Sequence, residues 1–285
     1  MRTTSYAEPV IKWAGGKRQL LPVLTDRLEA VDCRGTYYEP FVGGGALFLA
    51  LGHAPAVIND ANPAITGLYR TIRDYPESLM EQLDVMAELY NDRDEEGRKD
   101  YYLKVRNRFN SRIGADGSYR PMLRTADLIF LNKTCFNGLY RENAKGEFNV
   151  PWGKRETVNL YDPNNIRRIS RLMQSVNSEN MDFEEAVKDA ERGDVVFMDP
   201  PYHKTFTGYR GGGFSEDDQR RVARVFRDLT DRGCRVLATN SDTPLIRELY
   251  EGFDITELAV KRQINRDANG RTGTELLIDN GVWIG

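Results

Sequence analysis

Apolar and polar positions fall into two similar blocks separated by a long helical stretch. Residues 36–60 read TYYEPF, VGGG, ALFLAL and AVIND, a pattern that predicts strand, glycine turn, helix and strand. Residues 194–240 repeat that logic. DVVFMDPPY predicts a strand closed by a proline turn, a helix follows over about 215–232, and RVLATN predicts the next strand. On that helix Val222, Val225, Phe226 and Leu229 share one face, Ser215 and Asp218 have the spacing of a capping box, and Gly233 is placed to stop it. The run VVFM is apolar without alternation, as in a parallel strand covered on both faces. Strands alternating with helices predict an α/β sheet.

From Pro63 to Tyr161 the pattern becomes mostly helical, with Leu79, Leu83, Met86 and Tyr90 along one face. It ends in GLYRENAKGEFNVPWG, where Ala144-Lys145-Gly146 between aromatic-bearing flanks predicts a hairpin. This block reads as an insertion into an α/β domain whose sheet draws on both 1–62 and 162–285.

Composition sets outer limits. The 285 residues, 40% apolar and 29% charged with a mean hydropathy of -0.57, fit a water-soluble globular protein. The longest apolar stretch, Val42 to Gly52, contains four glycines and falls short of the ~20 residues of a membrane span. The N-terminal residues lack an apolar export segment, and Cys33, Cys135 and Cys234 match neither a disulfide framework nor a zinc site. A cytoplasmic location without a metal is therefore expected. Charge adds more. The net value of -3 conceals residues 98–161, where 13 Lys/Arg face 6 Asp/Glu. Alone, such a block reads most simply as solvated helix faces.

Candidate chemistry lies at strand ends, where doubly wound sheets bind ligands. Two consecutive prolines in Asp199-Pro200-Pro201-Tyr202 hold the backbone extended. The Pro200 carbonyl and Asp199 carboxylate can then aim at one point beside the flat Tyr202 ring, a set suited to a planar group bearing an NH2. A plain strand-ending turn explains the same four residues equally well. Gly43, Gly44 and Gly45 lie between strand and helix, where a cofactor can approach backbone, but Phe48 breaks the dinucleotide GxGxxG pattern. Asp60 ends the following strand and can accept both hydroxyls of a ribose. Those features fit an adenosyl group without a pyrophosphate. Trp13 and Lys17 in KWAGGK could pack against such a group and pair with a carboxylate, or be a core aromatic and a surface charge.

Taken in order, KWAGGK, EPFVGGG, NDANP, NKTCFNGLYRENAKGEFNVPWG, DPPY and TNSDTPLIRELY resemble the Dam family, the DNA adenine N6-methyltransferases, over nearly the whole chain. The resemblance implies a Rossmann-like methyltransferase sheet over 1–62 and 162–285 and a target-recognition domain over 63–161. It implies S-adenosylmethionine as cofactor, held by Trp13, Lys17, Asp60 and Asp199 in a pocket lined by Phe41, Gly43 and Gly45. Asp199, Pro200 and Tyr202 would grip an adenine flipped out of duplex DNA. Lys12, Phe136, Asn137, Leu139, Arg141 and Pro151 would read the target, with GATC the expected site. Phe136 stands where the family usually has Tyr, and Lys133-Thr134-Cys135 also departs from its pattern, which bears on sequence context more than on chemistry. Three rivals remain: transfer to RNA adenine or cytosine N4, a non-catalytic DNA-binding relative, and a nicotinamide oxidoreductase, which the missing third glycine disfavours. The chemistry asks for no metal, no covalent intermediate and no obligate protein partner.

Overall fold

The computed structural model describes residues 6–29, 35–111, 121–203, 214–261 and 272–282. One sheet contains β1 (Tyr37–Glu39), β2 (Ala56–Asn59), β3 (Val176–Glu179), β4 (Val195–Met198), β5 (Arg235–Ser241), β6 (Asp254–Lys261) and β7 (Thr272–Asp279). Their order is β3-β2-β1-β4-β5-β7-β6. The first five in that order are parallel, whereas β7 is antiparallel to both β5 and β6. The architecture is α/β and Rossmann-like. From β1 the chain steps outward through β2 to β3, and β4 starts the other half on the opposite side of β1. Reversal between neighbouring parallel strands opens a crevice beyond their carboxyl ends. Both strands flanking that point lead directly into motifs singled out in the sequence, Pro40 to Gly45 after β1 and Asp199 to Tyr202 after β4.

Strands at the centre are buried on both faces, which explains their unbroken apolar runs. Val195 and Phe197 join one core with α1 (Leu21–Glu29), α2 (Ala46–Leu51), α3 (Pro63–Asp74) and α7 (Pro163–Met173). Val196 and Met198 join the other, with α8 (Phe183–Ala186), α9 (Glu216–Asp231) and α10 (Pro244–Leu249). The capping box of α9 is present, and Gly233 follows the helix with φ 84°.

The helical block comprises α4 (Pro76–Asn91), α5 (Glu95–Ser111) and α6 (Pro121–Thr134). Leu79, Leu83, Met86 and Tyr90 are buried, and Tyr90 and Tyr101 meet Phe130 of α6 edge-on, 5.6 and 5.4 Å between centroids. α3 continues this core into the sheet domain: its Arg70 donates Nε to the Ser178 carbonyl of β3 at 2.8 Å. Beyond α6, the expected hairpin has isolated antiparallel bridges, Cys135 with Trp152 and Glu142 with Phe148, in place of ladders of strand length. Gly146, with φ 75°, donates its N–H to Asn143 O at 2.9 Å at the turn. Side chains from the helices supply further partners. Asn110 bonds both Phe148 N (2.9 Å) and Phe148 O (3.0 Å), Asn91 bonds both Val158 N (2.9 Å) and Val158 O (3.1 Å), and the Tyr102 hydroxyl donates to Val150 O at 2.7 Å. Buried backbone groups demand such partners. Among the described residues no helix is long and apolar enough to cross a membrane.

Candidate active site

Lys17, opening a single 3-10 turn over Lys17–Gln19, reaches across the crevice to the end of β4. Its Nζ lies 2.7 Å from Asp199 Oδ2, donates to Gly15 O at 2.6 Å, and sits 4.8 Å from the centroid of the Tyr202 ring. Thr239 on β5 donates its hydroxyl to the other Asp199 oxygen at 2.7 Å. The Lys17 and Asp199 side chains are 6% and 17% exposed, so water screens the pair weakly. An ammonium offers three donors, and these contacts use two. Tyr202 donates its hydroxyl to Glu275 Oε2 on β7 at 2.7 Å. Burial, then the Asp199 and Glu275 charges, hold that phenol well above its ordinary range and therefore neutral.

Glu39, the last residue of β1, is 3% exposed and accepts the Tyr37 hydroxyl at 2.7 Å. Burial pushes its carboxyl up to about 8; the Asp199 charge adds to the rise, while the Tyr37 bond and the Phe48 N–H oppose it. Asp60, just past β2, accepts Gly43 N at 3.0 Å and Asn62 N at 2.8 Å. Burial nevertheless raises it to about 6. Those bonds tie the glycine turn to the acid. Gly43 has φ 47°, and a side chain there would begin 2.6 Å from Trp13 Cδ1. Trp13 thus lies flush on the turn, with Tyr140 5.0 Å from it between centroids. At Gly45, φ 66°, any side chain would meet the Tyr69 hydroxyl. Phe41 stands 5.1 Å from Phe183 and 6.0 Å from Phe214, forming a cluster of three rings.

The far rim joins the N-terminal motif to the segment after α6. Asn132 accepts Lys12 N at 2.8 Å and donates to both Lys12 O (2.9 Å) and Gly138 O (3.1 Å). Lys12 is exposed, and its stem crosses Gly138 so closely that a Cβ there would lie 2.6 Å from Lys12 Cδ. Phe136 is 53% exposed, with its N–H donated to Pro151 O at 2.9 Å. Asn137 and Pro151 are exposed, Asn137 with φ 57°, and Leu139 packs half-buried against the core. Arg141 is exposed and donates Nε to Asn149 Oδ1 at 2.7 Å. Burial, followed by the charges of Lys12 and Arg18, lowers the Lys133 ammonium, a sign that cations converge at this rim.

Over residues 13–264 the chain matches the family model of the D12 class N6 adenine-specific DNA methyltransferases. The chain belongs to that family. Among its relatives is the type II methyltransferase M.MjaIII of Methanocaldococcus jannaschii, 38% identical over 96% of this chain and 99% of that protein. The type II methyltransferase M1.LlaDCHI of Lactococcus lactis subsp. cremoris is 37% identical over 95% of each chain. The DNA adenine methylase of Haemophilus influenzae is 30% identical over 95% of this chain and 92% of that one.

In this adenine-specific DNA methyltransferase the residues singled out in sequence form two groups. Lys17, Asp199 and Tyr202 meet at one point, with Pro200 in the same turn; Trp13, Gly43 and Asp60 form one contact set, Gly45 closes the turn, and Phe41 packs with Phe183 and Phe214. Lys12, Phe136, Asn137, Leu139, Arg141 and Pro151 lie along the rim. Lys17, expected to meet a cofactor carboxylate, is bonded here to Asp199. Glu39, Thr239, Phe183, Glu275 and Asn132 complete the sites without having been singled out. Glu39 and Thr239 stand inside quoted motifs, EPF and TNSD, yet nothing local distinguishes them from structural strand residues. No group of three or more His, Cys, Asp and Glu suited to a metal ion exists among the described residues. Cys33 lies outside them.

Proposed function

We propose that this crevice transfers the methyl group of S-adenosylmethionine to N6 of an adenine extruded from duplex DNA, at GATC, in the cytoplasm. The side chains fit the cofactor: an acid at a strand end for ribose hydroxyls, a spare ammonium donor for a carboxylate, and an aromatic cluster for a purine. When bound, the cofactor supplies a sulfonium methyl that is already a strong electrophile. Asp60 would accept the ribose hydroxyls, the third Lys17 donor would take the carboxylate, and Phe41 with Gly43 and Gly45 would shape the pocket that Trp13 backs.

Adenine N6 is a weak nucleophile because its lone pair is conjugated into the ring. Acceptance of its two hydrogens by Asp199 and the Pro200 carbonyl favours a pyramidal nitrogen whose lone pair points along the transfer line. Positive charge would grow on that nitrogen as its bond to the methyl group forms and the methyl–sulfur bond breaks to leave a neutral thioether, so Asp199 would stabilise the transition state more than the ground state before one amine proton is lost to solvent. Tyr202 stacks on the base and offsets part of the few kcal/mol lost on unstacking it. Residues 63–161 read the target. Within them Arg141 suits guanine O6/N7, as does Lys12 reaching in from the N-terminal motif, Leu139 and Pro151 suit thymine methyls, and Phe136 is placed as a wedge with Asn137 beside it.

The observation that carries this reading is the fixed Asp199, bonded by Lys17 on one oxygen and Thr239 on the other, three residues before Tyr202. The test is to map modified bases in DNA from cells making either the wild-type chain or Asp199→Asn. N6-methyladenine is expected at GATC with wild type, and a kcat lower by about 10²- to 10³-fold with the variant. Methylation at other sites would remove the GATC assignment; near-normal turnover by Asp199→Asn would remove the mechanism.

A further inference from the structure

The turn after β4 contains consecutive prolines at 200 and 201, and proline has no backbone N–H. Over those residues only carbonyls can anchor the main chain. A chain of buried amides does so. Asn240 Oδ1 accepts His203 N at 3.1 Å and Ser241 N at 2.8 Å, which fixes which end of that side chain is oxygen. Its Nδ2 is left to donate, and does so to Gln219 Oε1 at 2.9 Å. Gln219 Nε2 in turn donates to the Pro201 carbonyl at 2.8 Å. The Ser241 hydroxyl donates back to His203 O at 2.7 Å, and the His203 ring bridges Thr243 Oγ1 (2.9 Å) and Glu216 Oε1 (3.2 Å). Gln219 and Asn240 are each 1% exposed, so water cannot replace a lost partner. Reversing either amide would set oxygen against oxygen.

We propose that Gln219 and Asn240 are positioning residues for methyl transfer: by fixing the Pro201 carbonyl inward they set the direction in which the Pro200 carbonyl meets the target amine. This rests on the reading of Asp199 to Tyr202 as the amine-binding turn and adds to it the α9–β5 device that aims it. Neither residue is in the cofactor or DNA sets described above; their effect passes through the turn.

The test measures single-turnover methyl transfer at saturating DNA and S-adenosylmethionine, with Kd for each ligand and thermal unfolding recorded in parallel. Gln219→Met keeps length and burial but removes the donor; the transfer rate falls by about 10- to 100-fold while each Kd moves by less than about threefold. Gln219→Glu adds a readout that a purely structural role would not move. Its protonated carboxyl can donate to Pro201 O and accept from Asn240, whereas the ionised form has no donor. Its rate, divided by that of wild type at the same pH, therefore rises as pH is lowered from about 8.5 to about 5.5. Asp199, Glu39, His203 and Glu216 face this network in both proteins, so the ratio isolates the group at position 219. Wild-type transfer by Gln219→Met, a pH-independent ratio for Gln219→Glu, or losses confined to Kd would overturn the proposal. If Gln219→Met fails to fold, the pH ratio decides alone. Asp199→Asn in the same assay separates the two ideas: an active variant refutes the amine-binding turn itself, whereas an inactive one beside unaffected Gln219 variants refutes only the positioning.

Discussion

Glu39 keeps its proton at neutral pH because it sits almost without water behind the Lys17–Asp199 pair. Its carboxyl is raised from 4.5 to about 8 by burial, so between those values the folded protein holds a proton that the unfolded chain has released. Its contribution to stability is full below 4.5, declines as pH rises across that window and is lost above about 8. Glu39→Gln retains an acceptor for the Tyr37 hydroxyl and removes the titration. Urea midpoints should therefore show the variant gaining on wild type from about pH 5 to about pH 9; a constant difference over that range would contradict the assignment. Asp60, also raised by burial, contributes a slope of the same sign to both proteins and cancels. Sequence identified Lys17 and Asp199 separately, yet nothing in it announces that residues so far apart bond each other. Burial of Glu39 was equally invisible, since a glutamate ending a strand reads the same whether water or a second acid lies beyond it.

At the scale of elements, what could be read was what local periodicity decides. The strand VVFM, the helix with Ser215 and Asp218 at its start, and the helical face of Leu79 to Tyr90 all appear as expected. The β6–β7 pair was not anticipated. β6 lies at the sheet edge, where Ile255, Leu258 and Ala259 alternate poorly between exposed and half-buried settings. The turn at Gly146 was legible, but the anchoring of the segment after it was not, because Phe148, Val150 and Val158 find their partners on distant helices, at Asn110, Tyr102 and Asn91. Asn132 is the corresponding link on the rim, joining Lys12 to Gly138 through three hydrogen bonds. Asn132→Ala should lower stability by about 1–3 kcal/mol through buried groups left unpaired. It should also weaken DNA binding while sparing the cofactor, as checked by urea unfolding and a Kd for each ligand. Unchanged DNA affinity would show that the rim does not need this clamp.

At the scale of the molecule, the sheet brings together segments from both ends of the chain. β1 and β4 deliver the glycine turn and the proline turn to the same crevice. The charge surplus of residues 98–161 is partly internal: Arg108 pairs with buried Asp127, and Arg124 lies 4.7 Å over the Phe109 ring. Lys145, Lys154 and Arg155 remain exposed, together with Lys12 and Arg141 of the rim. A chain of net charge -3 can thus still present cations to a phosphate backbone. The claim on which the account turns is that an everted adenine meets Asp199 and the Pro200 carbonyl. Its most direct measurement is a crystal structure of the full chain with a duplex containing GATC and an unreactive cofactor analogue. The account predicts one adenine out of the stack over Tyr202, its N6 about 3 Å from both acceptors; an adenine still paired in the duplex, or one everted with N6 away from that turn, would contradict it.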